Sequence, residues 1–297
     1  YVSILTTKHP WALGRPFGEV WAEIYDEVVP SMMRVFETGE ATWEEDKLLM
    51  MERAGYLEEA YFSYSFTPVF DAAGKVSGIF TPVIETTSRV LSERRLKTLG
   101  RLAACAPDSK TTLEVGITRQ TYFPSLTPQS CGFIQQACRS IIDALRDNKD
   151  VPYAALYLTH DGGKAHLMAT TLDKGGASTL SPDLPRVVHF GSHAEKSPPT
   201  RHGHHEPEKD ELRWPIEEAL EKDEPQYFAA QHPCSSRAML IPLNLQPGSQ
   251  KAVIVVGLNK YRALDAEYSE WLRVAAGQIT TTLNQSRVPP SKKSKFA

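Results

Sequence analysis

The stretch ETTSRVLSERRLKTLGRLAA at residues 85–104 constrains the fold of this chain more than any other. Ile84, Thr87, Leu91, Arg95, Leu99 and Leu102 recur at steps of three and four, so a helix puts them on one face. Glu93 and Lys97 stand four apart as a favourable pair, and Glu85 falls near the positive end of the helix dipole. A strand-rich block precedes this stretch and a mixed block of helices and strands follows it. A helix with one apolar stripe in that position packs on both blocks, pairs with its twin in a dimer, or simply closes the first block. On the first two readings Leu91, Leu99 and Leu102 are the residues that would transmit a signal.

The first block opens in a turn-rich segment punctuated by Pro10, Gly14, Pro16 and Gly18. Trp11, Leu13, Phe17, Val20, Trp21 and Ile24 supply its packing surface. Asp26 is expected to cap a helix over residues 27–38, with Pro30 near its first turn and Gly39 at its stop. Strands are expected at 41–51, 58–70 and 75–84, the last two joined by a hairpin turn at Asp71–Gly74. In 58–70, Phe62, Tyr64, Phe66 and Pro68 alternate with Tyr61, Ser63, Ser65 and Thr67. Tyr64, Phe66 and Phe80 are the candidates for a ligand pocket or a packing face.

These residues carry a resemblance. The run KHPWALGRPFGEVW, continuing through FETGEATWEEDKLLMMERAGYLEEAYFSYSFTPVFDAAGKVSGIFTPVIETTSRVLSERRLKTLGRLA, resembles the PAS domain of hybrid sensor histidine kinases of fungi and bacteria. The resemblance implies a sheet with helices on one face and a long exit helix. It also implies two leading strands that this sequence does not contain, hence a PAS domain truncated at its N-terminus. Tyr1, inside an expected helix, likewise points to a piece of a longer chain.

Residues 106–132 hold no clean period and read as a loop, either an interdomain linker or an insertion such as a retained intron. The second block is expected to run as a helix at 133–148, strands at 151–159 and 164–172, and a mobile loop at 173–211. A helix at 211–221, a short strand at 226–229 and strands at 237–245 and 251–258 follow. Asp265 then caps a final helix at 266–287 that buries Tyr268, Leu272, Ala275, Ala276, Ile279 and Leu283. The run RAMLIPLNL, followed by AVIVVGLNKYRALDAEYSEWLRVAAGQITTTLNQSR, resembles the C-terminal half of a GAF domain. The expected organisation is a PAS domain at 1–85, a connector helix at 86–104, the linker at 105–132, a GAF domain at 133–287 and a disordered basic tail at 288–297. The fold class is α+β, with two antiparallel-sheet sensor domains joined by a long helix.

Composition narrows the function. The net charge is −3 over 297 residues, so nothing marks a nucleic-acid or membrane surface, and no apolar run is long enough to cross a bilayer. Cys105, Cys131, Cys138 and Cys234 are irregularly spaced, which favours reduced thiols in a cytoplasmic setting. His189, His193, His202, His204 and His205 cluster in the polar loop without the fixed spacing of a metal site. The segment SHAEKSPPT at 192–200 matches a phospho-acceptor box in its His and Pro offsets but lacks the bundle-helix context. Asn259, Lys260, Asp265 and Glu267 weakly resemble the signature of nucleotide-binding GAF domains, and a turn with a helix cap explains them as well. Bilin attachment would need a pocket cysteine, and neither Cys138 nor Cys234 sits in such a motif; a sulfoxide reductase would need cysteines spaced for thiol exchange. Glu44, Glu45, Asp46, Glu52, Glu58 and Glu59 read as a solvated sheet face. No hydrolase or phosphate-loop motif is present, and no pattern names a cofactor.

The expected function is therefore non-catalytic sensing. By resemblance, the chain is the PAS–GAF input region of a two-component phosphorelay histidine kinase. Its partners would be a second copy held through the connector and terminal helices, a small-molecule ligand, and downstream kinase and response-regulator domains. The alternative is a stand-alone small-molecule-binding or scaffold protein.

Overall fold

The structure is a computed structural model that describes residues 2–105, 128–160, 163–172, 184–190, 214–232, 235–246 and 251–287. The chain divides into two units, one reaching Leu96 and the other starting at Lys97. Each is a mixture of helices and antiparallel strands, the α+β class expected.

In the first unit, short helical turns α1 (Val2–Leu5) and α2 (Phe17–Val20) lead into α3 (Tyr25–Thr38). The expected cap is corrected here. The helix starts one residue before Asp26, which therefore lies inside its first turn, and Pro30 stands within the helix. Gly39 ends it in the left-handed region at φ 71°, its N–H closing on Val35 O, a conformation that needs no Cβ. Of the expected packing residues, Val20, Trp21 and Ile24 are buried, but Leu13 is 87% exposed and Trp11 47%.

Strand β1 (Thr42–Glu52) pairs with β2 (Leu57–Phe70), with a bulge between Glu44 and Lys47. Asp71 Oδ1 then accepts from the N–H groups of Ala73 and Lys75 and closes the hairpin. The single return strand expected at 75–84 is two strands, β3 (Val76–Phe80) and β4 (Val83–Glu85), both on β2. Pro82 has no N–H for the ladder, which breaks the strand at Thr81–Pro82. The core of this unit lies between α3 with its preceding turns and the β2 face that carries Phe62, Tyr64 and Phe66.

Helix α4 (Thr87–Ala103) is the expected connector, one residue shorter at each end than 86–104, and Glu85 before it belongs to β4. Its residues as far as Leu96 belong to the first unit, and those from Lys97 to the second.

The second unit is built on a six-stranded antiparallel sheet. Its elements are α5 (Pro128–Leu145), β5 (Ala154–His160), β6 (Lys164–Thr170), β7 (Val187–His189), α6 (Ile216–Lys222), β8 (Gln226–His232), β9 (Ser235–Asn244), β10 (Lys251–Gly257) and α7 (Ala266–Arg287). The strand order is β7-β6-β5-β10-β9-β8. Residues 187–189 fell in the expected loop and are instead an edge strand on β6, too short to show a period in the sequence. Both faces of the sheet are covered, so its central strands are unbroken apolar runs. Leu156, Leu158, Ile254 and Val256 point to α5 and α7, whereas Ala155, Tyr157, Val253 and Val255 point to α6 and Trp214. Gly257 is required by close approach: a Cβ there would lie 2.4 Å from the Tyr153 ring.

Helix α7 begins where its cap was expected, with the Tyr268 N–H donating to Asp265 Oδ1 at 2.8 Å. Tyr268 is fully buried, and its hydroxyl donates to Asp150 O and accepts from the Asn259 N–H at 3.2 Å. Tyr268→Phe removes that hydroxyl from two buried backbone groups. It is expected to lower the stability of the second unit by about 1–3 kcal/mol, read as a fall in the urea midpoint at unchanged slope.

Candidate functional site

The first unit holds a cavity of about 260 Å³ that is open on one side. Its floor is β2, where the period of two brings Phe62, Tyr64 and Phe66 to one face. Leu49 and Met51 of β1 extend that floor, and Val83, paired with Tyr64, closes it on the other side. The roof is helical: Phe17, Trp21 and Ile24 from the turns, Val28 and Met32 one turn apart on α3. Ile4 and Thr81 complete the lining, and Thr81 stands at the strand break. Most of these side chains are buried; Phe17, Met32, Thr81 and Val83 are more exposed and form the mouth.

Tyr64 and Phe66 thus stand in the cavity wall, their rings 5.2 Å apart. Phe80 does not. It pairs with Thr67, so the register turns it to the opposite face of the sheet, where it is 63% exposed. The helical contributors and Leu49 were not singled out as pocket residues, because lining a void and packing a core demand the same apolar pattern. Burial raises the Tyr64 phenol to about 12, and the carboxylates of Glu44 and Glu27 add to the effect. The group is therefore a protonated donor at neutral pH.

Behind the cavity floor lies a network of charges. The Arg53 guanidinium sits 5.7 Å from the centre of the Phe62 ring. It donates to Glu58 at 3.0 Å and, through both terminal nitrogens, to Glu85 at 2.8 and 2.5 Å. The Arg53 side chain is only 6% exposed, and the two carboxylates, Glu85 first, hold its basicity above the ordinary value against the cost of burial. Glu85 in turn accepts from the Thr87 hydroxyl, which itself accepts from the Tyr61 N–H. Arg94 and Arg89 tie the same helix to Glu59 and Asp46. The expectation that the acidic stretch forms a solvated face is thereby corrected in part: Glu45 and Glu52 are exposed, but others are not free. Glu59 is 3% exposed and is paired with Arg94, 35 residues away, whereas Glu58 is partnered by Arg53, five residues before it and just past the end of β1.

Leu91 is 4% exposed and Leu102 1%, both within a single copy of the chain. Leu102 belongs to the core of the second unit and Leu99 packs against it. Ile84, expected on the same stripe, is in β4 and 66% exposed; the exposed leucine of α4 is Leu96.

In the second unit Cys138 of α5 is wholly buried, and burial pushes its thiol up to about 12, which disfavours the thiolate. Asn259 Oδ1 accepts from the Tyr261 N–H and Asp265 caps α7, which is turn-and-cap chemistry. Among the described residues no group of three or more His, Cys, Asp or Glu could hold a metal ion. His189 lies in β7, whereas His193, His202, His204, His205, Cys234 and the segment 192–200 lie outside the described residues, as do most of the linker and the tail. No helix among the described residues is long and apolar enough to cross a membrane.

No family model matches the chain, and no curated protein matches it in sequence. Solved structures do. The GAF domain of a phosphoenolpyruvate-protein phosphotransferase (ptsP) from Coxiella burnetii is 17% identical, with a TM-score of 0.38 over 66% of this chain and 96% of that one. The phycoerythrobilin-bound GAF domain of a cyanobacterial phytochrome is 12% identical, TM-score 0.36, over 65% and 95%. A free methionine-R-sulfoxide reductase from Neisseria meningitidis in complex with its substrate is 12% identical, TM-score 0.38, over 65% and 90%. At these identities and TM-scores neither ligand nor reaction carries over to this chain.

Proposed function

We propose that this chain is a non-catalytic ligand sensor, a PAS-like unit followed by a GAF-like unit, in which α4 reports the occupancy of the first unit's cavity. The observation that carries the reading is one chain of contacts. Phe62 lines the cavity, Arg53 lies against its ring, Glu85 is held by Arg53, and Thr87 at the start of α4 bonds to Glu85. A ligand that moves Phe62 favours one setting of the first turn of α4, which is a shift between two populations of the same element.

The finer reading rests on the resemblance of the quoted runs: the input region of a hybrid histidine kinase in a cytoplasmic phosphorelay, acting as a homodimer with kinase and response-regulator domains downstream. A dimer through α4 would use the face of Leu96, because Leu91 and Leu102 are already covered. The second reading, a stand-alone binding or scaffold protein, is separated from the first by the flanking coding sequence. A downstream phospho-acceptor helix and ATPase domain belong to the kinase alone.

The cavity's role is tested with Leu49→Trp, which fills it from β1. Compounds that raise the melting temperature of the wild-type chain are expected to lose that effect in the variant. A library whose stabilising compounds act equally on both chains contradicts the proposal.

A further inference from the structure

The composition of the cavity wall bears on what it holds, given that the cavity is the sensing site. Its lining carries no charged side chain. An ionised ligand entering it would meet no charged side chain in the wall, and taking a charge out of water is costly unless it is directly paired. Carboxylates, phosphates and nucleotides are thereby disfavoured. Size sets a second bound. An apolar cavity of about 150 Å³ stays dry and accepts a benzene-sized molecule, so one of 260 Å³ has room for a second ring. The walls set a third, since Phe17, Trp21, Phe62 and Phe66 offer ring surfaces suited to a flat guest.

The lining is not wholly apolar: Tyr64 and Thr81 bring hydroxyls to it, Thr81 at the exposed mouth. Tyr64 is 5% exposed, and none of the described residues shares a hydrogen bond with its hydroxyl. A hydroxyl that no protein group occupies keeps its donor and acceptor sites open to a guest in the cavity. The carboxylates of Glu27 and Glu44 lie near enough to act on that phenol, one on the first turn of α3 and the other on β1. Their field opposes an anionic group at this end of the cavity and accommodates a neutral hydroxyl or amide.

We propose that the first unit's cavity binds an uncharged, flat, apolar molecule of about two fused rings that bears one neutral hydrogen-bonding group against the Tyr64 hydroxyl. This rests on the sensory reading above and narrows it to a ligand class.

The test compares three probes on the full chain: 2-naphthol, naphthalene and 2-naphthoate, with methyl-labelled methionine as the reporter. Met32 and Met51 line the cavity, whereas Met168 and Met239 belong to the second unit. 2-Naphthol is expected to shift the Met32 and Met51 methyl signals, to leave Met168 and Met239 in place, and to bind at least tenfold more tightly than 2-naphthoate. Tyr64→Phe is expected to weaken 2-naphthol by about five- to tenfold and to leave naphthalene unchanged. If 2-naphthoate binds as well as 2-naphthol, the uncharged class is overturned while the cavity remains a ligand site. If Tyr64→Phe weakens both neutral probes alike, the hydroxyl contact is overturned. If no probe moves Met32 or Met51, the ligand class and the sensory site fall together.

Discussion

Arg53→Ala is expected to destabilise the first unit by about 3–5 kcal/mol, the usual result of removing one partner from a buried ionic group. The variant leaves Glu58 and Glu85 facing each other across the space that the guanidinium occupied, and it withdraws the donor that reaches Ile4 O at 3.4 Å. It also strips the cation from the back of the Phe62 ring. Urea unfolding followed by tryptophan fluorescence reads the loss, with Trp21 buried in the affected core. Arg53→Lys keeps the charge but cannot reproduce the two-nitrogen grip on Glu85, so its loss is expected to fall between wild type and alanine. A cost below about 1 kcal/mol for the alanine variant, the range of an exposed ion pair, would mean that the cluster does not hold β4 and α4 to the sheet.

Leu102→Ala is expected to cost the second unit about 2–5 kcal/mol, because the side chain is 1% exposed in a core formed with α5, α7 and one face of the sheet. Leu96→Ala, on the exposed side of the same helix, is expected to change stability by no more than about 0.5 kcal/mol. Leu99→Glu follows Leu102→Ala in kind: a carboxylate placed against the Leu102 core is expected to lower the melting temperature without changing the molecular mass in light scattering. A variant at Leu99 or Leu102 that halves the mass and leaves the melting temperature unchanged would instead make α4 a seam between two copies.

The contrast between these two helix faces shows what the sequence could disclose. Spacing alone located α4, and at α7 even the cap at Asp265, because helix period and capping are local signals. Alternation in β2 likewise predicted that Tyr64 and Phe66 share a face. What spacing left open was which apolar surface faces what. Phe80 satisfies the same alternation as Phe66, and only its pairing with Thr67 places it on the outer face. Arg53 gave no local sign of its role, since Glu85 lies 32 residues away and is brought to it by the return of β4 along β2. The break at Thr81–Pro82, which shapes the mouth of the cavity, has a local signal in Pro82, but the apolar run on either side of it has the pattern of one continuous strand.

Hydrogen exchange of the full chain with and without saturating 2-naphthol tests most directly the claim that the cavity is read out by α4. The amides of Phe62, Thr87 and Val90 are the ones to follow, because they lie along the route from the cavity wall through Glu85 to the first turn of the helix. The predicted result is a change in exchange at all three that disappears when Arg53 is replaced by lysine, with the amides of β10 unaffected. Protection confined to Phe62 and its neighbours in β2, with Thr87 and Val90 exchanging as before, would contradict it.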